Sequence, residues 1–105
     1  MLVDHRTYNV LPGRLPEFLK LYKEIGMDIQ REKLGNLMGY YVSMDIGELS
    51  QVVHLWGYES LEDRARRRAE LAVEPKWQEF LKVGLPLLSK MENKILMPTD
   101  FSPNN

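Results

Sequence analysis

The chain has no cysteine, which removes disulfides, thiol nucleophiles and thiolate metal sites together. It also lacks an excess of charge of either sign. Its 14 Lys and Arg stand against 15 Asp and Glu, so a net charge of −1 gives no overall field to draw nucleic acid or anionic lipid. No apolar run approaches the roughly 20 residues that a membrane-spanning helix needs. Two histidines without ligand-type spacing fall short of the converging donors of a metal site, so neither metal nor cofactor is expected. No Gly-rich phosphate loop and no Ser-His-Asp order is visible. The opening Met1-Leu2-Val3-Asp4-His5-Arg6 has no basic segment followed by an apolar core, which predicts a cytoplasmic protein without a secretory signal.

What is present suits one soluble domain over residues 1–105: 44% hydrophobic and 28% charged residues, with residues 98–105 as a polar, Pro-containing tail. Leu2–Val10 mixes apolar, β-branched and aromatic residues and stops at Leu11-Pro12-Gly13, a strand followed by a turn. From Arg14 the period changes. Leu15, Phe18, Leu19, Tyr22, Ile25 and Ile29 recur at steps of three and four, with Pro16 in the first turn and Gly35 as the stop. That predicts one amphipathic helix.

Leu37–Met44 and Gln51–Trp56 read as strands joined by a turn at Asp45–Glu48. Ser60 is placed to cap a second helix running to about Ala72, with Asp63 three residues on. Glu74-Pro75 starts a further helical piece that Gly84 and Pro86 end or bend, and Lys90–Met97 predicts a fourth strand. The order β-α-β-β-α-β is α+β and ferredoxin-like: a four-stranded antiparallel sheet in the order 4-1-3-2, with the helices on one face.

In the middle strands both parities are apolar, with Val52 and Trp56 against Val53 and Leu55, and Tyr40 and Val42 against Tyr41. Helices cover one face only, so a second copy is expected on the other, with Trp56 and then Val52 at the centre of that contact. Arg64, Arg66, Arg67 and Arg68 are interleaved with Glu59, Glu62, Asp63 and Glu70, and this predicts a solvated helix face rather than a nucleic-acid site.

The ordered set His5-Arg6-Thr7-Tyr8, Pro12-Gly13, Gly39-Tyr40-Tyr41, Gln51-Val52-Val53-His54-Leu55-Trp56 with Tyr58, Pro75-Lys76-Trp77, Glu92-Asn93-Lys94-Ile95-Leu96 and Phe101-Ser102-Pro103 resembles the NIPSNAP family. The resemblance covers nearly the whole chain. It implies a dimeric α+β barrel, two ferredoxin-like sheets paired, and it implies no reaction, because the family carries no established one.

Candidate ligand-binding residues are Arg6, Tyr8, Tyr40, His54, Trp56 and Tyr58. His54 could act as a general base or ligand, but a histidine mid-strand between apolar neighbours is more often a hydrogen-bonded core or interface residue. Arg6 with Tyr8 suits a carboxylate or enolate; alternatively Arg6 pairs with an acid near the dimer contact. The aromatics resemble the stacking surface of an RNA-recognition sheet, but Gln51–Trp56 lacks the Lys/Arg-Gly-aromatic run, so RNA is not expected. The expected function is a homodimeric domain that binds a small apolar or aromatic ligand or serves interaction. The alternative is a cofactor-independent small enzyme, monooxygenase- or isomerase-like, by analogy of fold.

Overall fold

Residues two apart along each strand fall on one face, and this sorts β1 (Leu2–Val10) into Leu2, Asp4, Arg6 and Tyr8 on one side and Val3, His5, Thr7 and Asn9 on the other. The computed structural model describes residues 1–103; Asn104 and Asn105, the end of the expected tail, lie outside the described residues. β2 (Asn36–Ser43), β3 (Gln51–Tyr58) and β4 (Leu88–Leu96) complete an antiparallel sheet ordered β2-β3-β1-β4. This is the expected α+β, ferredoxin-like order. Tyr8 lies opposite Val52, Arg6 opposite His54 and Asp4 opposite Trp56. On its other edge β1 sets Arg6 opposite Asn93 and Tyr8 opposite Met91.

The first helical stretch is not uniform. α1 (Leu15–Leu21) and α2 (Met27–Leu34) are joined by a π turn over Tyr22–Gly26. The Phe80 ring lies against Gly26 so closely that a Cβ there would sit 2.8 Å from its Cγ, so the wide turn and the glycine accommodate a ring from elsewhere in the chain. Gly35, at φ +90°, then ends α2 by donating its N–H to Arg31 O at 2.9 Å.

α3 (Leu61–Ala72) begins at Ser60, whose Oγ accepts from the Asp63 N–H at 3.0 Å, while Asp63 Oδ2 accepts from the Glu59 N–H at 3.1 Å. α4 (Pro75–Gly84) has Pro75 where a helix leaves an N–H unused, and a 3₁₀ turn over Leu85–Leu87 leads into β4. β3 runs past Trp56 to Tyr58 and β4 starts at Leu88, because β1 offers partners at both ends: Leu2 to Tyr58 and Val10 to Leu88.

The helices pack on the face that carries Leu2, Asp4, Arg6, Val52, His54, Trp56 and Tyr58. The core there divides in two. Val10, Leu15, Phe18, Tyr22, Val52, Phe80 and Leu87 form one cluster, Leu2, Leu34, Trp56, Tyr58 and Leu71 the other, with Trp77 packed against both. Between them, along the same strands, lie Asp4, Arg6 and His54, all buried. Trp56 and Val52 are therefore core residues and not the centre of a contact with another copy. Both belong to the parity that the helices cover, and each is 0% exposed. The face without helices presents Val3, His5, Thr7, Val53, Leu55 and Tyr41.

Candidate functional site

The buried polar belt is organised by the Asp4 carboxylate. Its Oδ2 accepts from Arg6 Nη1 at 3.1 Å and from Arg64 Nε at 3.0 Å, and its Oδ1 accepts from Asn93 Nδ2 at 3.1 Å. Burial alone would push this carboxyl up, but Arg6, Asn93 and Arg64 outweigh it and hold it below the usual carboxylate range. Arg6 Nε in turn donates to Tyr8 Oη at 2.8 Å. Arg6 thus pairs with an acid on its own strand, under the helices, and not across the helix-free face.

His54 is stacked on Tyr40, with centroids 4.7 Å apart, and meets Tyr8 edge-on at 4.9 Å. Trp56 Nε1, which can only donate, gives its hydrogen to His54 Nδ1 at 2.7 Å. That fixes the neutral tautomer with the proton on Nε2. Burial, with Arg6 nearby, drives the imidazole pKa down to about 3. His54 Nε2 and Tyr58 Oη are buried without a hydrogen-bond partner among the described residues.

Beside this belt, between β1 and β4 on one side and α1 and α4 on the other, lies a cavity of about 260 Å³. Phe18, Trp77, Phe80, Leu81 and Leu85 contribute its apolar wall, and Arg6, Tyr8, Gln30 and Arg68 its polar lining. Of the six residues singled out from sequence, Arg6 and Tyr8 reach it. Tyr40, His54, Trp56 and Tyr58 are not on its lining and pack behind it.

The arginine cluster divides, which corrects the expectation of one solvated face. Arg66 and Arg67 stay with Asp63, at 2.8 and 2.9 Å. Arg64 turns in to Asp4 and Arg68 to the cavity. A signal for this was present: 64, 68 and 71 follow the i, i+4, i+7 spacing of one helix face, and Leu71 is buried. Burial, together with Arg6 and Arg64, lowers the pKa of Arg68. Asn93 and Gln30 carried no comparable signal. Among the described residues no group of three His, Asp or Glu is arranged to hold a metal, and no helix is long and apolar enough to cross a membrane.

Sheet order, helix placement and cavity define a small ferredoxin-like α+β domain with an arginine-lined cleft between its two layers. The chain belongs to the NIPSNAP family, whose model matches residues 3–103. A NIPSNAP family protein from Agrobacterium tumefaciens strain C58 is 51% identical, with a TM-score of 0.95 over 99% of this chain and 98% of its own. A NIPSNAP-like domain protein from Burkholderia xenovorans is 52% identical, with a TM-score of 0.90 over 97% of this chain and 88% of its own. Protein NipSnap of Drosophila melanogaster is 29% identical over 98% of this chain but only 37% of itself, so the chain spans a little over a third of that relative. An antibiotic biosynthesis monooxygenase matches at 10% identity with a TM-score of 0.66 over 94% of this chain and 99% of its own, which shows a shared fold alone.

Proposed function

We propose that the domain binds a small, partly apolar ligand in the cavity beside Arg6 and Tyr8, and that it works as a homodimer in the cytoplasm. The cavity carries the ligand reading: at about 260 Å³ it lies just below the roughly 300–1,000 Å³ typical of ligand pockets, and it combines an aromatic wall with a few convergent polar groups. A thermal-shift screen of small aromatic and aliphatic compounds tests it, because a ligand of the folded state raises stability by mass action. Compounds that raise the melting temperature should lose that effect in Leu85→Trp, which fills the mouth of the cavity; shifts that survive the substitution would overturn the reading.

Pairing of two copies is supported by the helix-free face, where Val53, Leu55 and the 58%-exposed Tyr41 sit side by side in the sheet. A stable pairing of this kind buries on the order of 2,000 Å² or more. Sedimentation at micromolar concentration should give a dimer; a monomer with a concentration-independent melt would refute it. We assign no nucleic-acid partner, since the arginines of α3 are divided between acids and the cavity.

The monooxygenase fold neighbour favours a second reading, a cofactor-independent monooxygenase- or isomerase-like enzyme. His54 does not serve as its base. The histidine's Nδ1 is occupied by Trp56, and an imidazole with a pKa of about 3 holds no useful affinity for a substrate proton at neutral pH.

A further inference from the structure

The polar side chains on the cavity lining share one property: each has a hydrogen to give. Arg6 uses Nε on Tyr8 and Nη1 on Asp4, and its Nη2 has no partner among the described residues. Arg68 makes neither a hydrogen bond nor an ion pair among them. Tyr8 Oη accepts from Arg6, so its own O–H stays available. Gln30 Oε1 takes the Tyr22 hydroxyl at 2.6 Å, which leaves the amide NH₂ as its free end. No Asp or Glu lines the cavity. Charge is unbalanced in the same sense: the guanidiniums of Arg6 and Arg64 share one carboxylate, Asp4, whose oxygens they and Asn93 engage, and Arg68 stands near both arginines.

A cation drawn partly out of water without a counter-ion is stabilised by any anion that brings acceptors to it. The flat fork of a guanidinium matches the two oxygens of a carboxylate. Resting on the ligand-pocket reading above, we infer that the cavity takes a small organic acid, its carboxylate held by Arg68 and Arg6 with the Gln30 amide, and its apolar body against Phe18, Trp77, Phe80 and Leu85. Arg6 is fixed in place by Asp4 and Tyr8. Arg68, which nothing else holds, is the group whose arrangement the acid completes.

The test titrates the full chain with benzoate and hexanoate beside benzamide and hexanamide at fixed ionic strength, by thermal shift and calorimetry, in the parent, Arg68→Met and Leu85→Trp. Hydrogen bonds to a charged partner predict that the acids bind the parent about tenfold or more tighter than their amides. Arg68→Met should erase that preference while melting at least as high as the parent, since an uncompensated cation has been removed. Arg68→Lys, which keeps the charge without the fork, should retain part of the preference. Acids and amides binding equally, both lost in Leu85→Trp, would overturn the inference and leave the pocket reading standing; binding of neither would overturn both. A preference for acids that survives Arg68→Met would also overturn it. So would a collapse of that variant, since an uncompensated cation is not what holds a fold together.

Discussion

On one face of the sheet β3 presents Val52, His54, Trp56 and Tyr58, none more than 2% exposed; on the other it presents Gln51, Val53 and Leu55, each only half-buried. Both sets are rich in apolar residues, so apolar content does not distinguish the faces. What distinguishes them is the polar groups. Under the helices Asp4 is tied to Arg6 and His54 to Trp56, because a polar atom removed from water needs a partner. On the open face His5 and Thr7 pair in register with Leu55 and Val53 and have no such requirement.

The sharpest way to break this comparison is Asp4→Ala, which leaves Arg6 and Arg64 under the helices without their shared acid. Losing one partner of a buried ion pair costs about 3–5 kcal/mol, against about 0.5 kcal/mol or less for Thr7→Ala on the open face. Urea denaturation reads both, and equal losses would mean the faces are energetically alike. Next in size is Leu55→Asp. If the open face is covered by a second copy, a charge at its centre should weaken association by about two orders of magnitude or more in sedimentation, and the parent's melting temperature should rise with protein concentration.

Acid separates the faces as well. The folded pKa of His54 lies near 3, below the unfolded value of about 6.5, so the unfolded chain takes up this proton first. Stability from the neutral imidazole is complete above pH 6.5 and falls as pH drops towards 3, by up to about 1.4 kcal/mol per pH unit. Asp4, whose pKa is also lowered, adds a further loss below the ordinary carboxylate range. His54→Gln should flatten the profile between pH 6.5 and 4; a slope that persists would assign the acid sensitivity elsewhere. The smallest effect belongs to Arg66→Ala. Its pairs with Asp63 and Glu70 are solvent-exposed, and calorimetry should register a change within about 0.5 kcal/mol.

Strands and helix ends are readable because their signals are local: the β-branched and aromatic mix of Leu2–Val10, Ser60 as cap, Gly35 as stop; the strand order follows from the β-α-β-β-α-β succession of elements. The covered face is not readable in this way. Period two sorts residues into two sets without naming the set that meets the helices, and Trp56 and Val52 were accordingly expected on the wrong side. The π turn escaped for another reason, since Phe80, which presses on Gly26, comes from a different helix. At the site, Arg6 and Tyr8 are legible as a pair because residues two apart on a strand share a face. Arg68 reads as part of a solvated face because acids stand beside it in sequence, although Asp63 turns to Arg66 and Arg67 instead.

β1 is an inner strand, and one of its two neighbours, β4, comes last in chain order among the four strands of this sheet. Asp4 closes its bonds only when Asn93 arrives, and Arg6 waits for the same partner strand. During synthesis the first strand therefore remains with one open edge until the chain has reached Leu96, so assembly is governed by the most distant contacts in the sequence. Pairing of this kind adds loop-closure cost before it is rewarded and leaves a pairing edge exposed meanwhile. A chain cut short before Leu88 would carry that edge permanently, and self-association through β1 is the fate its topology dictates.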